Sequence, residues 1–204
     1  MNGEQVQAIT KPKMLLVEGR DEFNFFSALL RHLEQTEIEV SIYGGKDKLR
    51  TRLRALPSIL GFENVESIGI VRDADEDAGA AFQSVCSSLS NANLPVPDSP
   101  LVLTSGRPQI AVMIMPPGAN TGMLEDLCLS ALRDDPAMLC LDQYFQCLEV
   151  QMESLPQNTS KARVHAFLAS RERPDLRLGE AALGGYLPWD SPAFDAVKQF
   201  INQL

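Results

Sequence analysis

Two unbroken apolar runs, Met14–Val17 and Ile110–Met115, constrain this chain more than any other feature. Runs of that length have the signature of strands buried on both faces, as in the middle of a parallel sheet. Further strands are predicted at Ile38–Tyr43, where apolar and polar residues alternate, and at Val65–Val71. The segments after them change period. Phe25, Phe26, Leu29, Leu30 and Leu33 fall at helical spacing within Asp21–Leu33. Helices are also predicted over Lys46–Leu56, Ala78–Leu89 and Leu124–Leu132. Strands alternating with helices predict an α/β fold, a mostly parallel sheet with flanking helices and right-handed crossovers.

Asn91–Arg107 is rich in Pro, Ser and Asn and reads as a loop carrying a hairpin strand at Leu101–Leu103. Beyond Asp135 the pattern is helical only, with helices predicted over Ala137–Met152, Ser160–Ser170 and Ala193–Leu204. The expected organisation is a flexible leader over 1–13, an α/β domain over 14–135 and a helical extension over 136–204 packed on that domain.

The formal net charge is −9 and the pI is near 4.7. Such a chain repels phosphates overall, so phosphate chemistry would need metal ions and a local basic patch. No membrane span and no signal-peptide pattern is read, which predicts a cytoplasmic protein. Cys86, Cys128, Cys140 and Cys147 form no CxxC pair and read as buried or semi-buried thiols. No GxSxG or P-loop motif is present.

Ligands of parallel sheets bind beyond the carboxyl ends of the strands, and here those ends are acidic. Glu18 closes the first strand and Glu22 stands one helical turn later. Asp73 and Asp75 flank Ala74 just beyond the third strand, and Glu125 opens the helix after the fourth. Carboxylates crowded on one rim raise each other's pKa values, and a hard divalent cation, Mg²⁺ or Mn²⁺, relieves the conflict. Asp21, Asp77 and Asp126 read instead as helix-start residues.

Val17-Glu18-Gly19, with Asp73-Ala74-Asp75 after a later strand, resembles the TOPRIM domain of topoisomerases, bacterial primases and some nucleases. Within that group the pattern is similar to the OLD (overcoming lysogenization defect) nucleases. Glu22 matches an acid following the Glu-Gly motif, Gly122–Glu125 matches a Gly-x-Leu-Glu acid, and Lys161 matches a later basic residue. The resemblance implies a TOPRIM-like sheet with a C-terminal helical extension. It implies two-metal hydrolysis of DNA or RNA phosphodiesters, with Glu18, Glu22, Asp73, Asp75 and Glu125 as ligands. Glu18, Asp73, Asp75 and Lys161 would act in catalysis, Lys161 by neutralising charge on the phosphate. Topoisomerase activity needs domains for which this chain has no room. The alternative is a non-catalytic TOPRIM-like binding or regulatory subunit of a defence or repair assembly, as a homodimer or with a partner protein. Receiver-like switches and dehalogenase-type phosphatases place their acids after different strands.

Substrate capture would draw on basic residues near the rim. Lys46, Lys48, Arg50, Arg52 and Arg54 read chiefly as a solvated helix face with Leu49, Leu53 and Leu56 turned inward. Backbone N–H groups at Gly44-Gly45 could hold a phosphate. Arg72, directly before the acid pair, is a further candidate, or a neutraliser of those acids. Trp189 reads as a packing residue.

Overall fold

The computed structural model describes residues 8–204. Strands β1 (Lys13–Val17), β2 (Ile38–Ile42), β3 (Ser67–Asp73) and β4 (Gln109–Met115) form one sheet in the order β2-β1-β3-β4, every pairing parallel. Helices α1 (Arg20–His32), α2 (Leu49–Ala55), α3 (Ala78–Asn91) and α4 (Leu124–Ala131) follow the four strands in turn. Then come α5 (Pro136–Gln151), α6 (Thr159–Ala169), α7 (Leu178–Leu183) and α8 (Asp195–Gln203). The α/β class predicted from the run pattern is the class observed.

Strand alternation divides the core into two layers. Met14, Leu16, Ile68, Ile70, Ile110 and Val112 face α2 and α3. Leu15, Val17, Val71, Ala111 and Met113 face the other way, onto α1 and α4–α8. The C-terminal helix lies directly on the sheet because β3 carries Gly69. A Cβ there would stand 2.8 Å from Leu204 and 3.1 Å from Phe200. Ser67 Oγ, buried beneath that contact, donates to the Leu204 carbonyl at 2.7 Å. Trp189 packs edge-on against Phe25 at 5.2 Å between ring centres, as a packing residue would.

Several local expectations are corrected. Of the expected leader 1–13, residues 1–7 lie outside the described residues, whereas 8–13 are held in place. Ile9 is buried and its N–H donates to the Leu60 carbonyl, and Lys13 already belongs to β1. The third strand runs two residues further than expected, so Asp73 is its last residue. The second helix begins only at Leu49, because Gly44 and Gly45 take positive φ values of 91° and 104° and turn the chain before it can wind. Leu101–Leu103 forms no strand. The segment instead runs along the outer edge of β4, with Leu101 N–H on the Val112 carbonyl and Thr104 N–H on that of Ile110. Those bonds cover backbone groups that an open edge would expose. Cys86 and Cys128 are buried as expected, but Cys140 and Cys147 are exposed on α5. Helix α7 is absent from the sequence reading because six residues carry too little periodicity. Among the described residues, no helix is long and apolar enough to cross a membrane.

Candidate functional site

The strand order singles out one rim. From β1 the chain goes to β2 on one side and later returns as β3 on the other, so the change of direction lies between β1 and β3. Glu18 follows β1 there and Asp73 ends β3.

The loops after β3 and β4 are fastened to each other. Asp75 N–H donates to the Gly122 carbonyl and Gly122 N–H to that of Asp75, both at 2.9 Å. Ala78 N–H donates to the Asn120 carbonyl at 2.8 Å. Asp75 sits in the left-handed region at φ 52°, which Asp tolerates better than most residues. Gly122, at φ 121°, leaves no room for a side chain: a Cβ would stand 2.9 Å from Pro116 Cδ and 3.0 Å from Asp126 Oδ2.

This framework brings the five candidate carboxylates into one neighbourhood. Asp73 Oδ1 accepts the Leu124 N–H at the start of α4, at 3.1 Å, and Glu125 is the next residue of that helix. Glu22 Oε2 accepts the Gly19 N–H at 3.0 Å. The buried Tyr43 hydroxyl donates to the Val71 carbonyl at 3.1 Å and lies 3.5 Å from Glu18 Oε2. Lys46 Nζ stands 3.8 Å from Asp75 Oδ2, and Lys161 Nζ 3.9 Å from Glu125 Oε1.

The charges conflict. Burial, then the charges of Glu22, Glu125, Glu18 and Asp75, push the Asp73 carboxyl up to about 8. Burial also raises Glu22, against the pull of its backbone hydrogen bonds, and raises Glu125, against the pull of Lys161. The Tyr43 hydroxyl is pushed up by burial first and by Glu18 second.

Convergence is incomplete, however. By strand alternation Glu18 shares the α2/α3 side with Leu16, whereas Asp73 shares the α1/α4 side with Val71. Among the described residues, no three acidic, imidazole or thiol groups lie close enough in these rotamers to hold one metal ion. The donor chemistry nonetheless suits a hard cation. All five candidates are carboxylates, and each uses one oxygen in the contacts above and keeps the other.

Two of the three neighbouring acids bond at their own helix starts as expected, and the third, Asp21, stands in the first turn of α1 but bonds elsewhere. Asp77 Oδ1 accepts the Ala80 N–H, and Asp126 Oδ2 the Met123 N–H. Asp21 Oδ1 accepts the Gly179 N–H at the start of α7. The Gly44 and Gly45 N–H groups are already committed to the Glu18 carbonyl, at 3.1 and 3.3 Å, and so offer nothing to a phosphate. Tyr43 is a site residue that the sequence reading does not single out. Its one signal is its place at the acidic rim, immediately before that glycine pair.

Two clefts flank the acids. One, of about 670 Å³, is lined by Lys46, Arg72, Asp75, Met123 and Gln157 among others. The second, of about 310 Å³, is lined by Asp21, Glu125, Lys161, His165 and Arg177.

Residues 12–204 match the family described as "Protein of unknown function (DUF3226)", and the chain belongs to that family. No curated protein sequence matches. Among solved structures, the chain is similar to the C-terminal region of the Xanthomonas campestris pv. campestris OLD protein. Identity is 14% and the TM-score 0.47, over 96% of this chain and 97% of that one. It is also similar to the C-terminal region of the Burkholderia pseudomallei OLD protein, at 14% identity and TM-score 0.43, over 96% and 99%.

Proposed function

We propose that this DUF3226 protein is a divalent-cation-dependent nuclease that hydrolyses phosphodiesters of DNA or RNA by a two-metal mechanism. The observation that carries the reading is the charge conflict at Asp73. One buried carboxyl faces four others, and its pKa is pushed up to about 8. A fold gains nothing by gathering acids around a buried acid unless a cation joins them. The Glu18-Gly19 and Asp73-Ala74-Asp75 motifs, in TOPRIM order, support the same reading.

Glu18, Glu22, Asp73, Asp75 and Glu125 would hold Mg²⁺ or Mn²⁺. Such ions, when bound, lower the pKa of water and offset charge at the cleaved phosphate. The chain's own residues do the rest. The N–H of Leu124 orients Asp73, and the N–H of Gly19 orients Glu22. The capped loops hold Asp75 and Glu125 at fixed heights on the rim. Lys161, mostly exposed beside Glu125, turns its ammonium to a phosphate oxygen as charge develops there.

The test is a Mn²⁺ and Mg²⁺ titration by calorimetry, beside cleavage of labelled DNA and RNA, for the wild type and an Asp73→Ala/Asp75→Ala variant. Saturable heat and cleavage in the wild type, both abolished in the variant, are expected. Equal heats from the two proteins would reject the reading. A second reading, a non-catalytic TOPRIM-like module serving a defence or repair assembly as a homodimer or with a protein partner, draws support from the incomplete convergence of the acids. It requires cation binding without cleavage of any strand.

A further inference from the structure

Arg72 is the cation in this region whose position the fold does not explain. It lies near the carboxyl end of the central strand β3, in register with Ile114 of β4. It is half-buried, and its Nε is shielded from solvent with no hydrogen-bond partner. None of the six salt bridges among the described residues includes it, so it does not act as the counter-ion of the neighbouring Asp73 or Asp75. Shielding even one N–H of a guanidinium from water without a partner is costly, and the rest of the group is left open to a ligand. By alternation it sits on the α2/α3 side of the sheet, opposite Asp73, and lines the cleft of about 670 Å³. That volume falls within the range of roughly 300–1,000 Å³ typical of ligand clefts.

We propose that this cleft is a phosphate subsite, in which Arg72 and Lys46 hold a backbone phosphate of the nucleic-acid strand adjacent to the one cleaved. The proposal rests on the nuclease reading and extends it, since that reading assigns neither residue. Lys46 reaches the cleft from the β2–α2 loop and is more than half exposed. Its 3.8 Å approach to Asp75 is long, so its ammonium is easily shared. Three acids also border the cleft, but they do not bar an anion. Asp77 is engaged at the start of α3, Asp75 faces Lys46, and Glu76 is exposed at the mouth. A guanidinium suits a phosphate because it donates two parallel N–H bonds to two oxygens, which an ammonium cannot match. The subsite lies on one side of the acids and Lys161 on the other. A strand crossing the rim would therefore meet positive charge both before and after the cleaved bond.

The experiment is fluorescence anisotropy with a labelled 12-nucleotide single-stranded DNA and its RNA counterpart, in calcium buffer at several KCl concentrations. It uses the full chain and its Arg72→Ala, Arg72→Lys and Lys46→Ala variants, with thermal melts to confirm folding. Arg72→Ala should weaken binding at least tenfold, and Lys46→Ala by a smaller factor. Each should reduce the slope of log K against log salt by about 0.7 for every phosphate that the variant no longer neutralises. Arg72→Lys should recover only part of the affinity. The heats of Mn²⁺ binding should be unchanged in the two Arg72 variants, and Lys46→Ala should still bind Mn²⁺ with no loss of affinity, since its missing ammonium no longer competes for Asp75. Unchanged affinity and salt slope in both alanine variants would overturn the subsite while leaving the nuclease reading intact. A wild-type chain that binds neither strand would overturn both. Should Arg72→Ala fail to fold, the exposed Lys46→Ala decides alone, because wild-type binding and slope in that variant reject the subsite.

Discussion

Replacing Asp73 by Asn tests the electrostatics of the rim without reference to any activity. Asn keeps an oxygen for the Leu124 N–H, which Asp73 accepts at 3.1 Å, and removes the acid. The native carboxyl is pushed up to about 8 from an ordinary 3.8, chiefly by burial and then by Glu22 and Glu125. A group whose pKa is raised on folding binds its proton more tightly in the folded chain. Its contribution to stability is therefore full below about pH 4, falls as the pH rises and is gone above about 8. At pH 7 the gap to the unfolded value is about 3 units, at ~1.36 kcal/mol each, or about 4 kcal/mol. The asparagine amide must find partners for its own two donors, which offsets part of that gain. We expect Asp73→Asn to stabilise the cation-free protein by about 2–4 kcal/mol at pH 7–8, and by nothing at pH 4. For a chain of this size that corresponds to on the order of 5–10 °C in melting temperature. The assay is thermal or urea unfolding in EDTA from pH 4 to 9. The wild-type curve should decline across that range, and the variant should decline much less. Equal melting temperatures at pH 8, or a variant less stable than the wild type there, would refute the argument. Added Mn²⁺ should then raise the melting temperature of the wild type and leave that of the variant unchanged.

Two further substitutions probe the scaffold behind the acids. Gly122→Ala forces a side chain into positive φ and against Pro116 and Asp126, and should cost about 2–4 kcal/mol in urea unfolding; an unchanged midpoint would show that the paired loops yield freely. Tyr43→Phe removes the donor to the Val71 carbonyl and should cost about 1–2 kcal/mol. It should also weaken Mn²⁺ binding about tenfold by freeing Glu18 to move, as changes behind metal ligands commonly do; wild-type heats in that variant would remove Tyr43 from the site.

How much of this was legible in the sequence depends on the range of the physics involved. Met14–Val17 lies between β2 and β3, Ile110–Met115 is covered on both faces of the sheet by helices, and such burial demands continuous apolar runs. Glu18, just after the first of these runs, and Asp73, at the end of β3, therefore mapped directly onto one rim. Helix-start acids were legible for the same local reason, since Asp77 and Asp126 bond within three residues of themselves. What could not be read depends on partners far along the chain. Helix α7 is too short for a periodic signal, and its place is fixed by Gly179. A Cβ at that position would come within 2.7 Å of Asp21, some 158 residues earlier. Tyr43 looked like the end of an alternating strand, and only the fold turns its hydroxyl toward Glu18. The sequence offered Gly44-Gly45 as an anion cradle, but the parallel pairing of β1 and β2 spends both N–H groups on the Glu18 carbonyl.

Each rim carboxylate faces a donor that is either fixed or movable, and the distinction bears on how a cation would enter. Asp73 and Glu22 accept backbone N–H groups that cannot leave without unwinding a helix start. Asp75 and Glu125 face lysines at 3.8 and 3.9 Å, on side chains more than half exposed. Ion pairs of that length are weak where both groups are exposed, as Lys46 and Asp75 are, and in the other pair the lysine itself stays open to solvent. A cation would therefore displace the lysines and leave the backbone hydrogen bonds standing. The fixed pair supplies oxygens already in place, and the movable pair supplies the closing motion that these rotamers lack. The same exchange frees two ammonium groups beside the rim, where a phosphate would arrive. Cation and strand should then bind with positive coupling, each tightening the other by the same factor. A site built for structural charge balance would instead hold its lysines in place and bind the strand no better with the cation than without it.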